Sequence, residues 1–143
     1  MMAKIGDFGL SRLFASEQTY ITASRDLKGT LGYMPPEYIN GKKISPKFDV
    51  FSLGVIIIQI MAGKEGYFNC RDTHPKDFIE HVHEKWRVRL QATMSSHVSE
   101  EVRSCIEIGL KCDDRTRRPT ITQIVNELSK NGIATSSSIS QKF

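Results

Sequence analysis

Cysteine is scarce: Cys70, Cys105 and Cys112 are the only three in 143 residues. An odd, sparse set makes no disulfide framework; such thiols are ordinarily small buried hydrophobes in a reducing compartment. Cys105 and Cys112 lie seven residues apart, two helical turns, and can share a face. Long apolar runs are also missing. The most apolar stretch, residues 50–61, is interrupted by Ser52, Gly54 and Gln59. It falls short of the roughly 20 residues that cross a bilayer, so no transmembrane segment is expected. No apolar stretch follows Met1-Met2-Ala3-Lys4, which argues against a signal peptide and for the cytoplasm. Strong charge bias is absent as well: 20 Lys and Arg against 16 Asp and Glu leave a net charge of +4. The basic residues are scattered, apart from a short cluster at Arg115, Arg117 and Arg118, so nucleic-acid binding is not expected. His81 and His83 are two apart and point to different faces of a helix, unlike the spacing of a metal pair.

What remains is an ordinary globular composition, 39% hydrophobic and 25% charged, in a length that suits one domain with a modest core. A short strand-like piece, Ala3-Lys4-Ile5, precedes Gly6-Asp7-Phe8-Gly9. Residues 15–33 are polar, rich in hydroxyls and without a period, which predicts a long loop. Glu37 to Asn40 could make one helical turn ended by Gly41. Ser45-Pro46 resembles a helix start, with Ser45 as cap and Pro46 as first helical residue. From Lys47 to about Ala62 apolar residues lie on every side, predicting a helix buried all round and ended by Gly63. Residues 64–75 read as a loop. Further helices are expected from Lys76 to about Arg89, from Ser99 through Cys112, and from Thr120. In the last, Thr120 and Gln123 fit a capping box, Ile121, Ile124, Val125 and Leu128 form one face, and Asn131-Gly132 ends the helix. The tail, residues 131–143, reads as disordered. The fold class is mainly α.

Several motifs then fall in order. Asp7-Phe8-Gly9 matches the D-F-G of protein kinases. Pro35-Pro36-Glu37, which begins 28 positions after Asp7, matches the A-P-E motif with proline for alanine. Gly29-Thr30-Leu31-Gly32-Tyr33 resembles the substrate-facing segment of plant receptor-like kinases. Asp49-Val50-Phe51-Ser52-Leu53-Gly54-Val55 resembles the buried kinase helix that follows, and Arg118-Pro119 the arginine turn near the domain's end. One triplet recurs by chance; five motifs in order do not. The sequence is similar to the eukaryotic protein kinases from D-F-G onward, nearest in flavour to plant receptor-like Ser/Thr kinases.

The resemblance implies the helical C-terminal lobe of a kinase fold over residues 3–130, without the N-terminal β lobe. It implies an activation segment at 7–37 and a helical subdomain at 38–130. Asp7 would hold Mg²⁺ against the phosphates of ATP, since a hard oxygen ligand suits a hard cation. Phe8 would pack inward. Thr19, Tyr20, Thr22 and Ser24 are candidate phosphosites, because phosphate can order a loop through basic contacts. Thr30 would help place a Ser/Thr substrate. Glu37 and Arg118 would form a buried ion pair, and Asp49 would bind backbone N–H groups of the catalytic loop.

The family's G-x-G-x-x-G loop, V-A-I-K lysine and H-R-D-L-x-x-x-N loop do not occur in these 143 residues. Hence no catalytic residue is assigned, and ATP and Mg²⁺ enter only through the resemblance. The expected function is that of a kinase-like fragment whose family phosphorylates Ser/Thr of proteins, inactive alone. The alternatives are a non-catalytic module that docks an intact kinase or its protein substrate, and an incomplete gene product. For full-length members the expected place is the cytoplasmic face of the plasma membrane.

Overall fold

A computed structural model describes residues 4, 6, 8–23 and 27–130, the side chain of Ala92 excepted. The strand-like piece at Ala3 and Ile5, Asp7, Ser24, the Asn131-Gly132 stop and the tail lie outside the described residues. The chain is mainly helical. Its order is β1 (Ile21–Thr22), α1 (Pro36–Gly41), β2 (Lys43–Ile44), α2 (Phe48–Asp72), α3 (Pro75–Leu90), a 3₁₀ turn (Gln91–Thr93), α4 (Ser96–Asp113) and α5 (Ile121–Lys130). β1 and β2 form a two-stranded antiparallel sheet, Ile21 opposite Ile44 and Thr22 opposite Lys43. The expected unbroken loop at 15–33 therefore contains one strand, too short to show a period.

α2 is the hub. Phe51, Val55 and Ile58 on one side pack with Phe78 and Val82 of α3 and with Val102 and Ile106 of α4. Val50 on another side joins Ile108, Cys112 and Ile124 in a second cluster. α4 crosses α2 at two glycines. A Cβ on Gly54 would stand 2.5 Å from the Cβ of Cys112, and one on Gly109 would stand 2.9 Å from Cγ1 of Ile58. Removing both side chains lets the two backbones approach. Cys70 and Cys112 are buried, and burial pushes each thiol up to about 11, so both act as small apolar side chains.

Several boundaries differ from the sequence reading. Gly41 stays inside α1, and the left-handed position falls on Lys42 (φ 51°), whose N–H donates to Tyr38 O at 2.8 Å. Ser45 does not cap α2. The N–H of Phe48 is already taken by Ser45 O at 3.0 Å, and the cap is Lys47, two residues on. Gly63 (φ 81°) breaks the helix axis, a conformation glycine adopts without a Cβ penalty. The chain does not enter a loop there: helix resumes to Asp72. Tyr67 and Cys70, three apart, supply the buried stripe that its polar composition hides. There Tyr67 Oη donates to Asp113 Oδ1 at 3.2 Å and accepts from Arg71 Nη2 at 2.9 Å. Desolvation and the Asp113 charge push this phenol up to about 12.

Nor is α2 covered all round. Ile56 is 43% and Ile60 68% exposed, so one stripe of the apolar run faces solvent. α4 starts earlier than Ser99, because Ser95 Oγ accepts from Val98 N at 3.3 Å and caps it. The Ser99 hydroxyl instead meets Nε2 of buried His83 at 2.8 Å. Trp86 packs at the core edge, and its Nε1 donates to Met61 O at 2.8 Å.

α5 opens on the reciprocal box that Thr120 and Gln123 suggest. Thr120 N donates to Gln123 Oε1 at 2.8 Å, and Gln123 N donates to Thr120 Oγ1 at 3.3 Å. Only Ile124 and Leu128 of the expected face turn inward; Ile121 and Val125 are about half exposed. The helix lies against α4 and α2 along one narrow line. Thr120→Ala is expected to cost about 1 kcal/mol in a urea melt, the usual worth of an N-cap.

Candidate functional site

The hydroxyl-rich stretch runs over the surface on local bonds. Ser11 N donates to Phe8 O at 3.0 Å and Gln18 N to Ala15 O at 2.9 Å. Thr19, Tyr20 and Thr22 are exposed. Phe8 does not pack inward. It is 68% exposed, because its segment is held by short turns and joins neither core cluster.

Farther along, the chain becomes fixed at an exposed tip. Thr30 is exposed, and its carbonyl accepts from Tyr33 N at 3.1 Å. The glycines on either side of this turn, Gly29 (φ 137°) and Gly32 (φ 91°), adopt backbone that other residues avoid. Both flanks are clamped. Before the tip, Lys28 N donates to Tyr38 Oη at 3.0 Å. Behind it, Ser52 Oγ donates to Tyr33 O at 2.7 Å and Tyr33 Oη donates to Gln59 Oε1 at 2.9 Å. Met34 and Pro35 then plunge into the core. The result is a solvent-facing threonine on a loop with little freedom at either end.

These clamps were missed in the sequence, although two of them were visible as anomalies. Ser52 and Gln59 are the polar breaks in the apolar run of α2. Seven residues apart, they lie on one helical face. A polar residue recurring at that spacing in a buried helix signals a partner lying along it.

Below the clamp sits the anchor. The guanidinium of Arg118 donates through Nη1 to Glu37 Oε1, with side chains 2% and 9% exposed. Its Nε donates to Cys112 O at 2.7 Å, and its Cζ lies 5.1 Å from the centre of the Phe51 ring. Lys47 Nζ donates to Arg118 O at 2.6 Å. One arginine thus joins α1, α2 and the end of α4. Glu37 Oε2 and Arg118 Nη2 are buried without a partner among the described residues. That leaves polar groups desolvated and raises the cost of disturbing the pair.

The structure does not bring the remaining candidates into this anchor. Asp49 is not enclosed by the apolar helix. It sits exposed in the first turn of α2, where the helix dipole favours a carboxylate, and its side chain has no hydrogen bond or ion pair among the described residues. Asp7 lies outside the described residues, and among those described no group of three metal-ligating side chains gathers. No described helix is long and apolar enough to cross a membrane.

An exposed threonine loop is thus clamped on α2, with a buried Glu–Arg pair behind it, in a chain whose sequence motifs resemble those of kinases. Comparison with known proteins gives the same class. The family described as "Protein kinase domain" matches residues 1–128. The chain belongs to the protein kinase family. Its relatives include cysteine-rich receptor-like protein kinases of Arabidopsis thaliana. It is 35% identical to number 41 over 92% of this chain and 21% of that protein. It is 36% identical to number 44 over 92% of this chain and 37% of that protein. With number 21 it shares 37% identity over 90% of this chain and 20% of the relative. The chain therefore spans between a fifth and two fifths of these relatives' lengths.

Proposed function

We propose that residues 3–130 are the part of a receptor-like Ser/Thr kinase domain that presents a protein substrate hydroxyl. In this reading residues 7–37 are the activation segment and residues 38–130 the helical subdomain beneath it. The observation that carries it is the exposed Thr30 tip held at both flanks by Tyr38, Ser52 and Gln59. Phosphoryl transfer depends almost wholly on positioning and charge stabilisation, and a rigid platform supplies the first. Thr30 would place the substrate hydroxyl; Glu37 and Arg118 would keep the platform seated. Mg²⁺ with ATP would supply charge neutralisation at the phosphates, and Asp7 is the residue to hold the metal. The longer form would work at the cytoplasmic face of the plasma membrane.

These 143 residues are expected to transfer no phosphate unaided. Incubated with Mg²⁺, labelled ATP and dephosphorylated casein, the purified chain should label nothing above background; labelling would sink the claim of inactivity. The platform itself is tested in a chimera. Residues 7–130 replace the matching part of an active receptor-like kinase, and transfer should survive. In that chimera Thr30→Ala should lower kcat/KM by about tenfold or more, as misplacing a reacting group does. Activity unchanged by Thr30→Ala would remove the placing role. A second reading, a non-catalytic module docking an intact kinase or its substrate, draws on the exposed Ile56 and Ile60. A chimera that folds but transfers nothing would favour it.

A further inference from the structure

Beyond Gly63 the second limb of α2 uses one face for the core, where Tyr67 and Cys70 are buried. Another face turns towards α3, and a cavity of about 480 Å³ lies between them. Small residues leave it open. Ala62 and Gly66 line it from the limb, and a Cβ on Gly66 would stand 2.5 Å from that of Ala62. Phe78 and Val82, buried residues of α3, line it from the other side. Both walls are held from behind. Tyr67 Oη donates to Asp113 Oδ1 at 3.2 Å, and Trp86 Nε1 donates to Met61 O at 2.8 Å. At the turn that joins the walls, Thr73 Oγ1 donates to Asn69 O at 2.8 Å. The cavity is therefore pre-formed, and its volume suits a small ligand.

Its rim is acidic. Asp72 and Asp77 flank the turn at His74-Pro75, and Glu65 lies two helical turns before Asp72 on the same face. None of these three carboxylates has an ion pair among the described residues. Lys85 is the one lysine in the lining, so three carboxylates face one ammonium. The rim is thus negative in a chain whose net charge is +4.

We propose that this cavity binds a small organic cation with an apolar body: an aryl- or alkyl-substituted ammonium, amidinium or guanidinium. The apolar body would cover Ala62, Phe78 and Val82, and removing that surface from water supplies the affinity. The cation would lie at the turn, beside Asp72 and Asp77. Exposed carboxylates contribute little one by one, so their effect is mainly to choose the sign of the ligand. The turn closes one end and Lys85 stands at the other, which suits one ring or a short chain better than a length of peptide. The site shares no residue with the Thr30 loop or the Glu37–Arg118 pair, and does not depend on the function proposed above.

The test is a titration of the isotope-labelled 143-residue chain with benzamidine, read at the backbone amides of Gly66, Asn69 and His81. Binding with a Kd of about 1 mM or tighter is expected, reasonable for so small a ligand. Benzamide, the neutral analogue, and benzoate should bind at least about tenfold more weakly. Replacing the three rim acids together, Glu65→Gln, Asp72→Asn and Asp77→Asn, should weaken benzamidine by about tenfold. Glu17→Gln, Asp49→Asn and Glu100→Gln together change the net charge equally outside the lining and should leave binding unchanged. Ala62→Leu should block the cavity, with circular dichroism confirming that the variant folds. The peptide acetyl-Gly-Arg-Gly-amide should bind more weakly than benzamidine. The proposal is overturned by benzamide binding as tightly as benzamidine, by shifts scattered away from the cavity, or by binding that survives loss of the rim acids. Tighter binding of the peptide overturns it as well, since the occupant would then be a protein side chain.

Discussion

Arg118→Ala is expected to lower the stability of this chain by about 3–5 kcal/mol, the range for breaking one side of a buried ion pair. The loss has three sources. Glu37 is left buried with an unpaired charge, Cys112 O loses its donor, and the Phe51 ring loses the guanidinium above it. Glu37→Ala leaves the Arg118 guanidinium without its carboxylate but keeps its contacts to Cys112 O and the Phe51 ring, and should cost less. Replacing both with apolar groups, Glu37→Met with Arg118→Leu, should cost less than either alanine variant, because no charge remains to desolvate. Urea melts of the four proteins decide it. If both single variants melt like the parent, the pair carries no energy. A native domain holds only about 5–15 kcal/mol, so Arg118→Ala should come close to unfolding the chain.

Gly54→Ala is expected to destabilise by about 3 kcal/mol, against the ordinary gain for this exchange. Alanine in place of glycine inside a helix is normally favourable by about 1 kcal/mol. Here the added methyl would lie 2.5 Å from the Cβ of Cys112 and 3.0 Å from Gly109 O. The second neighbour is backbone and cannot rotate away, so α4 must shift from α2 and loosen both clusters. Gly109→Ala should cost less, about 1–2 kcal/mol, since its nearest neighbour is the Ile58 side chain at 2.9 Å. Gly41→Ala, where the nearest atom is 3.7 Å away, serves as the unclashed control and should show the ordinary helical gain of up to about 1 kcal/mol. The sign of the Gly54→Ala change in thermal melts is the readout. A stabilised variant would mean that the crossing is looser than the structure shows.

Local pattern made much of the fold legible. The helical class follows from the 3.6-residue spacing of Phe78, Val82 and Trp86 and of Val102, Ile106 and Gly109. The Thr120 box followed from hydroxyl and amide chemistry three residues apart. Family motifs, not periodicity, pointed to the kinase assignment. The failures have physical reasons. The second limb of α2 was hidden because its two buried residues, Tyr67 and Cys70, sit among polar ones. The start of α4 was misplaced because Ser95 and Ser99 are equally good caps, and only contact with His83 distinguishes them.

Sequence alone, then, determined the class of protein, its helical character and the order of its segments, because each is written in spacings of a few residues. Tertiary structure decided the rest. It chose which stripe of the apolar run in α2 is buried and left Ile56 and Ile60 outside. It gave Ser52, Gly54 and Gln59 their roles: two hold Tyr33, and one makes room for α4. It set Thr22 against Lys43, and it seated the Glu37–Arg118 pair, which only the family resemblance had implied, across 81 positions. Such pairings depend on how helices and loops pack against one another, and no local propensity encodes a contact between residues so far apart along the chain.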